Sequence, residues 1–272
     1  MMSSVMAKTV SDPYTIRISK GAALLPETRM LLREWKVDED AASLAERVLE
    51  ADLLGKATAR RVRDIVQRCF APRLLSPAGC PARHMKRLVE NRSSNDWFRD
   101  LCLLYSARAD RLLRDSITVF LTDAINEGRL SVTVDTATAF LCEAEEKGMM
   151  ESPWAAETKK KVSRGVLKAL AEFGLLSTNS RKPREILSFR PHPIAVAYLA
   201  YDLHFSGKSD AGVASHQDWS IWQCNKAVVR ESLDELSRHG LWVFQAAGNV
   251  VRITWNASTM EEAVDVLVGI NI

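Results

Sequence analysis

Four glycines, Gly128, Gly148, Gly174 and Gly240, each stand directly behind a stretch whose apolar residues recur at i, i+3 and i+4. That spacing places the apolar side chains on one face of a helix. A glycine just past the last such residue accepts the left-handed backbone that ends a helix. With only short β-favouring stretches between these stops, the chain is restricted to a mainly α fold. At 272 residues it is long enough for one large domain or two to three small ones, and 47% hydrophobic residues exclude disorder.

The first third reads as successive helices. Ala41 to Leu53 is amphipathic and Gly55 breaks it; Thr58 is placed to cap a helix running to Phe70. In that helix Val62, Ile65, Val66, Cys69 and Phe70 share one face while Arg60, Arg61 and Arg68 lie on the other. Pro72, Pro77, Gly79 and Pro81 form a loop, and Arg83 to Glu90, Trp97 to Ser106 and Arg108 to Glu127 continue the helices. From Leu130 a different order begins. A helix over Asp135 to Lys147 precedes a second over Thr158 to Phe173, followed by Leu175-Leu176, a basic tip from Ser177 to Arg184 and a β-favouring return over Ile186 to Phe189. Helix, turn, basic helix, hairpin is the order of a winged helix-turn-helix, and a helix over Ile194 to Phe205 packs back. The order repeats after the linker Ser206 to Gly212, with a helix over Asn225 to His239 and a hairpin pairing Trp242 to Gln245 with Val250 to Trp255. The expected fold is mainly α, with a helical N-terminal domain (13–128) and two winged-helix-like units with short β-hairpins (129–206 and 207–272).

Charge separates these regions more sharply than the overall +3. Lys56 to Arg92 holds ten basic residues against two acidic ones, and Lys159 to Arg190 nine against two. In the second block Lys160, Arg164 and Lys168 share the helix face opposite Val162, Val166, Ala169, Leu170 and Phe173, with Glu172 as the nearest acidic neighbour. Such concentrated like charge suits a polyanion or an ordinary solvated face equally. On the 225–239 helix, by contrast, Lys226, Arg230 and Arg238 are offset by Glu231, Asp234 and Glu235, which favours a protein partner over phosphate.

Catalytic and metal signatures fail one by one. Gly207-Lys208-Ser209 ends like a phosphate loop, but Asp202 stands where the motif needs glycine. The five histidines and five cysteines show no zinc-type spacing, and the scattered cysteines suit a reducing cytoplasm. The histidines read as surface or cap residues. No apolar run approaches the roughly 18 to 20 residues of a spanning helix, and Met1 to Asp12 reads as a frayed tail. Trp219, Trp222, Trp242 and Trp255 read as core anchors, while Trp97 and Trp154 beside polar turns are expected to be partly exposed.

From Tyr14 to about Trp255 the chain resembles the BrxA family of BREX phage-defence systems. The resemblance rests on Tyr14-Thr15-Ile16, the opening Thr58-Ala59-Arg60-Arg61, the stretch ending Leu170-Ala171-Glu172-Phe173-Gly174-Leu175-Leu176, Asp218-Trp219, and Ala247-Gly248-Asn249-Val250-Val251-Arg252-Ile253. It implies an all-helical fold, partly similar to the antitermination factor NusB, and membership of a system that methylates host DNA and blocks phage replication through partner proteins. The expected function is a non-catalytic, cofactor-free accessory protein that binds double-stranded DNA with low sequence specificity. Its expected contacts are Lys159, Lys160, Lys161, Arg164, Lys168, Arg181, Lys182 and Arg184 in the central unit, and Arg60, Arg61, Arg83, Lys86 and Arg87 in the N-terminal block. Lysines position a protein on phosphates but read bases poorly, hence the low specificity. Two rivals are an antitermination-like RNA binder using the N-terminal block, and a subunit whose basic faces dock other BREX proteins.

Overall fold

The computed structural model describes residues 12–55, 57–76, 80–92, 94–179, 183–248 and 250–272. All of the tail read over 1–12 except Asp12, and the tip residues Arg181 and Lys182, lie outside them. The chain is mainly helical, with two small two-stranded antiparallel sheets among the described residues. A 3-10 segment, Ile16–Lys20, precedes α1 (Leu25–Glu34) and α2 (Ala41–Glu50), the latter capped by Asp40, whose carboxylate accepts from the Ala42 and Ser43 amides at 2.8 Å. Thr58 caps α3 as expected, accepting from the Arg61 amide. That helix does not stop at Phe70. It runs 59–74 as Ala59–Arg63, a π turn Asp64–Phe70 and Ala71–Leu74. Pro72 cannot donate backward, and the wide turn ahead of it, where Ala71 donates to Val66 five residues back, lets the helix continue through the proline.

Two long helices follow, α4 (Cys80–Asn91) and α5 (Asp96–Ala109). The break expected near Ala107 falls at Asp110, whose extended backbone and side-chain cap on Leu113 start α6, which covers 111–126. Then come β1 (Ser131–Val132), α7 (Val134–Glu146) behind a Thr133–Thr136 capping box, and α8 (Ala156–Glu172), stopped by Gly174 at φ 84°. The expected central hairpin is reduced to a single bridge, Leu176 with Ile186. The strand β2 (Arg184–Glu185), at the end of the basic tip and ahead of the return expected over Ile186 to Phe189, pairs instead with β1, Ser131 opposite Glu185 and Val132 opposite Arg184.

The rest comprises α9 (Pro193–Phe205), α10 (Asp210–Ala214), a 3-10 turn Gln217–Trp222, α11 (Lys226–Arg238), β3 (Trp242–Ala247), β4 (Val250–Trp255) and α12 (Met260–Gly269). The β3–β4 register sets Trp242 opposite Trp255. α9 carries apolar residues all round, so it can be satisfied only by burial on every side. Ile194 through Tyr201 are all buried, and α9 packs on α5, α10, α11 and α12. One connected core extends from Tyr14 to Leu267 across all three regions read from the sequence.

Polar ties cross that core. Arg108 of α5 bridges Asp202 at 2.8 Å and Asp218 at 2.7 Å. The Tyr198 hydroxyl lies 2.7 Å from that of Tyr105 and 3.2 Å from His84 Nδ1. Trp219, Trp222 and Trp242 are buried, as expected of core anchors, and Trp255 is half-buried. Trp97 is not partly exposed but fully buried, edge-on to Phe98; Trp154 is half-buried. His192 and His216 accept from backbone amides at the starts of α9 and the Gln217–Trp222 turn, as caps do. His84 is neither surface nor cap: it is buried, and desolvation pushes its pKa down.

Candidate nucleic-acid interface

α8 buries Val162, Val166, Leu167, Ala169 and Leu170 and exposes Lys160, Lys161, Arg164 and Lys168. Seventeen residues with this split make one dry face and one cationic arc. The arc is lightly neutralised. Lys160 has Glu157 at 3.8 Å and Lys168 has Glu172 at 3.5 Å, both exposed pairs of the kind worth at most about 1 kcal/mol. Among the described residues, Lys161 and Arg164 have no carboxylate within ion-pair distance. Lys159 is turned the other way: its ammonium is 2.5 Å from Glu145 on α7, and this hydrogen bond holds Glu145 below and Lys159 above their ordinary pKa values. Ser163 hydrogen-bonds Thr138 at 3.0 Å, so α7 and α8 are joined at two levels.

The two basic blocks meet at one point. Arg61 of α3 and Lys168 of α8 line a recess of about 650 Å³, together with Glu172, Gly165, Ile18 and Ser19. Arg60, beside Arg61, is exposed. The other N-terminal candidates, Arg83, Lys86 and Arg87, are tied elsewhere. α4 packs between α1 and α12, and its basic residues serve those contacts. Arg83 pairs with Asp38 at 3.3 Å, Lys86 donates to the last carbonyls of α1 at Leu32 and Arg33, and Arg87 pairs with Asp265 of α12. In the small sheet, Arg184 donates to the Ser177 carbonyl at 2.9 Å.

Residues 12–202, which include α8, the Ile16–Lys20 segment and all of α3, match the family model of BrxA. The chain belongs to the BrxA family. BrxA membership associates it with BREX phage defence. The matched stretch ends inside α9, so the β3–β4 hairpin and α12 lie beyond it. A crystal structure of an uncharacterized protein from Magnetospirillum magneticum shares the fold, with a TM-score of 0.56 at 19% identity over 71% of this chain and 94% of that one. No curated protein matches the chain.

In this BrxA-family chain no described helix is long and apolar enough to cross a membrane, and no described cluster of His, Cys, Asp or Glu is arranged to hold a metal ion. Two exposed cations, one on the Ile16–Lys20 segment and one on α3, were not among the sequence candidates. Arg17 lies exposed on the Ile16–Lys20 segment and shares a surface recess with Arg68 of α3. Arg17 stands alone between apolar neighbours, so neither periodicity nor charge density marks it.

Proposed function

We propose that the chain is a non-catalytic, cytoplasmic, double-stranded-DNA-binding accessory protein of a BREX system, contacting the phosphate backbone with little sequence preference. The observation that carries this reading is the exposed arc Lys160, Lys161, Arg164 and Lys168, presented on a rigid helix whose other face is wholly packed. Uncommitted cations on such a face neutralise phosphates and release condensed counterions. The surrounding order supports a winged-helix-like module: helix α6, strand β1, helices α7 and α8, then Leu176 and β2 closing a miniature sheet with β1. In that arrangement the last helix is the one offered to the groove. Three lysines to one arginine on the arc favour positioning over base readout.

The β3–β4 hairpin favours a protein contact for the C-terminal unit, because Val243 and Val250 stand exposed on its outer face. Other BREX proteins are the partners this reading expects. The test is a binding titration of the purified chain against duplex DNA, single-stranded DNA and structured RNA of equal length, at several salt concentrations. Preference for duplex with a steep salt slope is expected. Preference for RNA, or no binding to any nucleic acid, would transfer the assignment to the antitermination-like or the protein-docking alternative.

A further inference from the structure

The Ile16–Lys20 segment is strapped across the flank of α8. At Gly165 the contact is close enough that an added Cβ would stand 3.3 Å from the Ser19 Cα, so the absence of a side chain there admits the strap's backbone. The strap is anchored at its start: the Tyr14 amide donates to the Met149 carbonyl at 2.8 Å and the Tyr14 hydroxyl to Asp115 at 2.9 Å. Ile18, in the middle of the strap, is buried. Gly165 lies one helical turn from both Lys161 and Lys168, so the strap runs along the edge of the cationic arc. Arg17 projects from the strap into the recess it shares with Gln67 and Arg68 of α3. Two acidic groups stand near. Asp64 pairs with Arg68 at 3.1 Å, and Asp110, whose carboxylate caps α6, lies close to Arg17.

A helix with its side chains is about 10 to 12 Å across, and the major groove of B-DNA is about 12 Å wide. A helix presented to the groove therefore fills it, and whatever is packed on the helix flank lies against a phosphate wall. We propose that the strap is a backbone clamp, with Arg17 and Arg68 contacting the phosphates that flank the α8 arc. This rests on the reading of α8 as the DNA-contacting helix, and it adds two contacts from outside that unit. The contact is one of charge, so lysine at position 17 should substitute for arginine.

The experiment measures the affinity of the full chain for a mixed-sequence duplex as a function of salt. It compares the parent, Arg17→Gln/Arg68→Gln, Arg17→Lys, and a variant with Lys160, Lys161, Arg164 and Lys168 all changed to Gln. Because Arg17 and Arg68 are exposed, thermal melts of the double variant should overlay those of the parent. Expected is a salt slope shallower by about 1 to 2 in the double variant, at roughly 0.9 per phosphate contact, with a 3- to 10-fold loss of affinity and near-parental behaviour of Arg17→Lys. If the four-residue α8 variant loses binding while the double variant keeps the parental slope, the clamp is overturned and the α8 reading stands. If the α8 variant keeps parental affinity, both fall, since the clamp is defined by its position beside α8.

Discussion

The central unit and the C-terminal unit repeat one order, helix, helix, antiparallel strands, and use it differently. On α8 the exposed arc is cationic, and Lys161 and Arg164 have no carboxylate within reach among the described residues. On α11, Arg238 is paired with Asp234 at 2.5 Å, Arg230 donates to the Gly248 carbonyl, and Glu231, Asp234 and Glu235 balance the charge of Lys226, Arg230 and Arg238. The strands differ in the opposite sense. The central sheet consists of two-residue strands closed on β1, whereas β3–β4 is a hairpin of two six-residue strands with apolar residues facing out. Shared architecture thus says little about partners; the residues left over after internal pairing say more.

The sharpest way to break this comparison is to neutralise each helix in turn. Changing Lys160, Lys161, Arg164 and Lys168 to Gln should weaken duplex binding roughly 10- to 100-fold at matched salt, as expected for the loss of about three phosphate contacts. Changing Lys226, Arg230 and Arg238 should alter it less than about 2-fold by the same measure. Equal losses in a fluorescence-anisotropy titration would show that the two units are not functionally distinct.

A second test addresses the residue that joins them. Asp100 of α5 is fully buried; its carboxylate accepts from the His192 amide at the start of α9, and its carbonyl accepts from the Trp222 indole. Burial raises its pKa to about 6, against the opposing pull of the His192 amide and the Arg99 guanidinium. The folded state therefore holds this proton more tightly than the unfolded chain. Its contribution is most favourable below the unfolded value near 4 and is lost as pH rises to about 6, beyond which it is flat. Between pH 4 and pH 7 the unfolding free energy of Asp100→Asn should gain about 2 to 3 kcal/mol relative to the parent, by urea denaturation at each pH. A pH-independent difference would mean that Asp100 is not the group titrating.

Charge placement can also be reversed. Glu231→Lys, Asp234→Lys and Glu235→Lys together would give α11 a cationic arc like that of α8. A gain in duplex affinity of about 3- to 10-fold is expected if net charge on an exposed helix is what separates the units. No gain would assign the difference to helix placement. The smallest effects come from the caps: Thr133→Ala at α7 and Asn225→Ala at α11 should each cost about 1 kcal/mol. With one connected core, both should shift a single unfolding transition, and two separate transitions on calorimetry would restore the independence of the units.

Much of the helical framework was legible because its signals are local. Asp40, Thr58, Thr133 and Asn225 cap helices with their own side chains, and each glycine stop has a positive φ. The cationic arc was legible too, since Lys160, Arg164 and Lys168 are related by the helical repeat alone. Lys159 shows where such reading stops. It is chemically identical to its neighbours, yet one 100° step around the helix points it at Glu145 instead of at solvent.

By itself, then, the sequence determined nine of the twelve described helices and the two dense blocks of positive charge, because periodicity, caps and composition act over a few residues; α1, α12 and α10, which begins inside the stretch read as a linker, were not read from it. Tertiary structure decided everything that needed a distant partner. It paired β2 with β1 across the intervening α7 and α8 and committed Arg83, Lys86 and Arg87 to α1, α12 and the 38-position carboxylate. It buried Trp97 and His84, and it seated the strap on Gly165 beside the arc. A charge is available to a ligand only after the fold has finished pairing, and that remainder is set by contacts between residues tens to hundreds of positions apart.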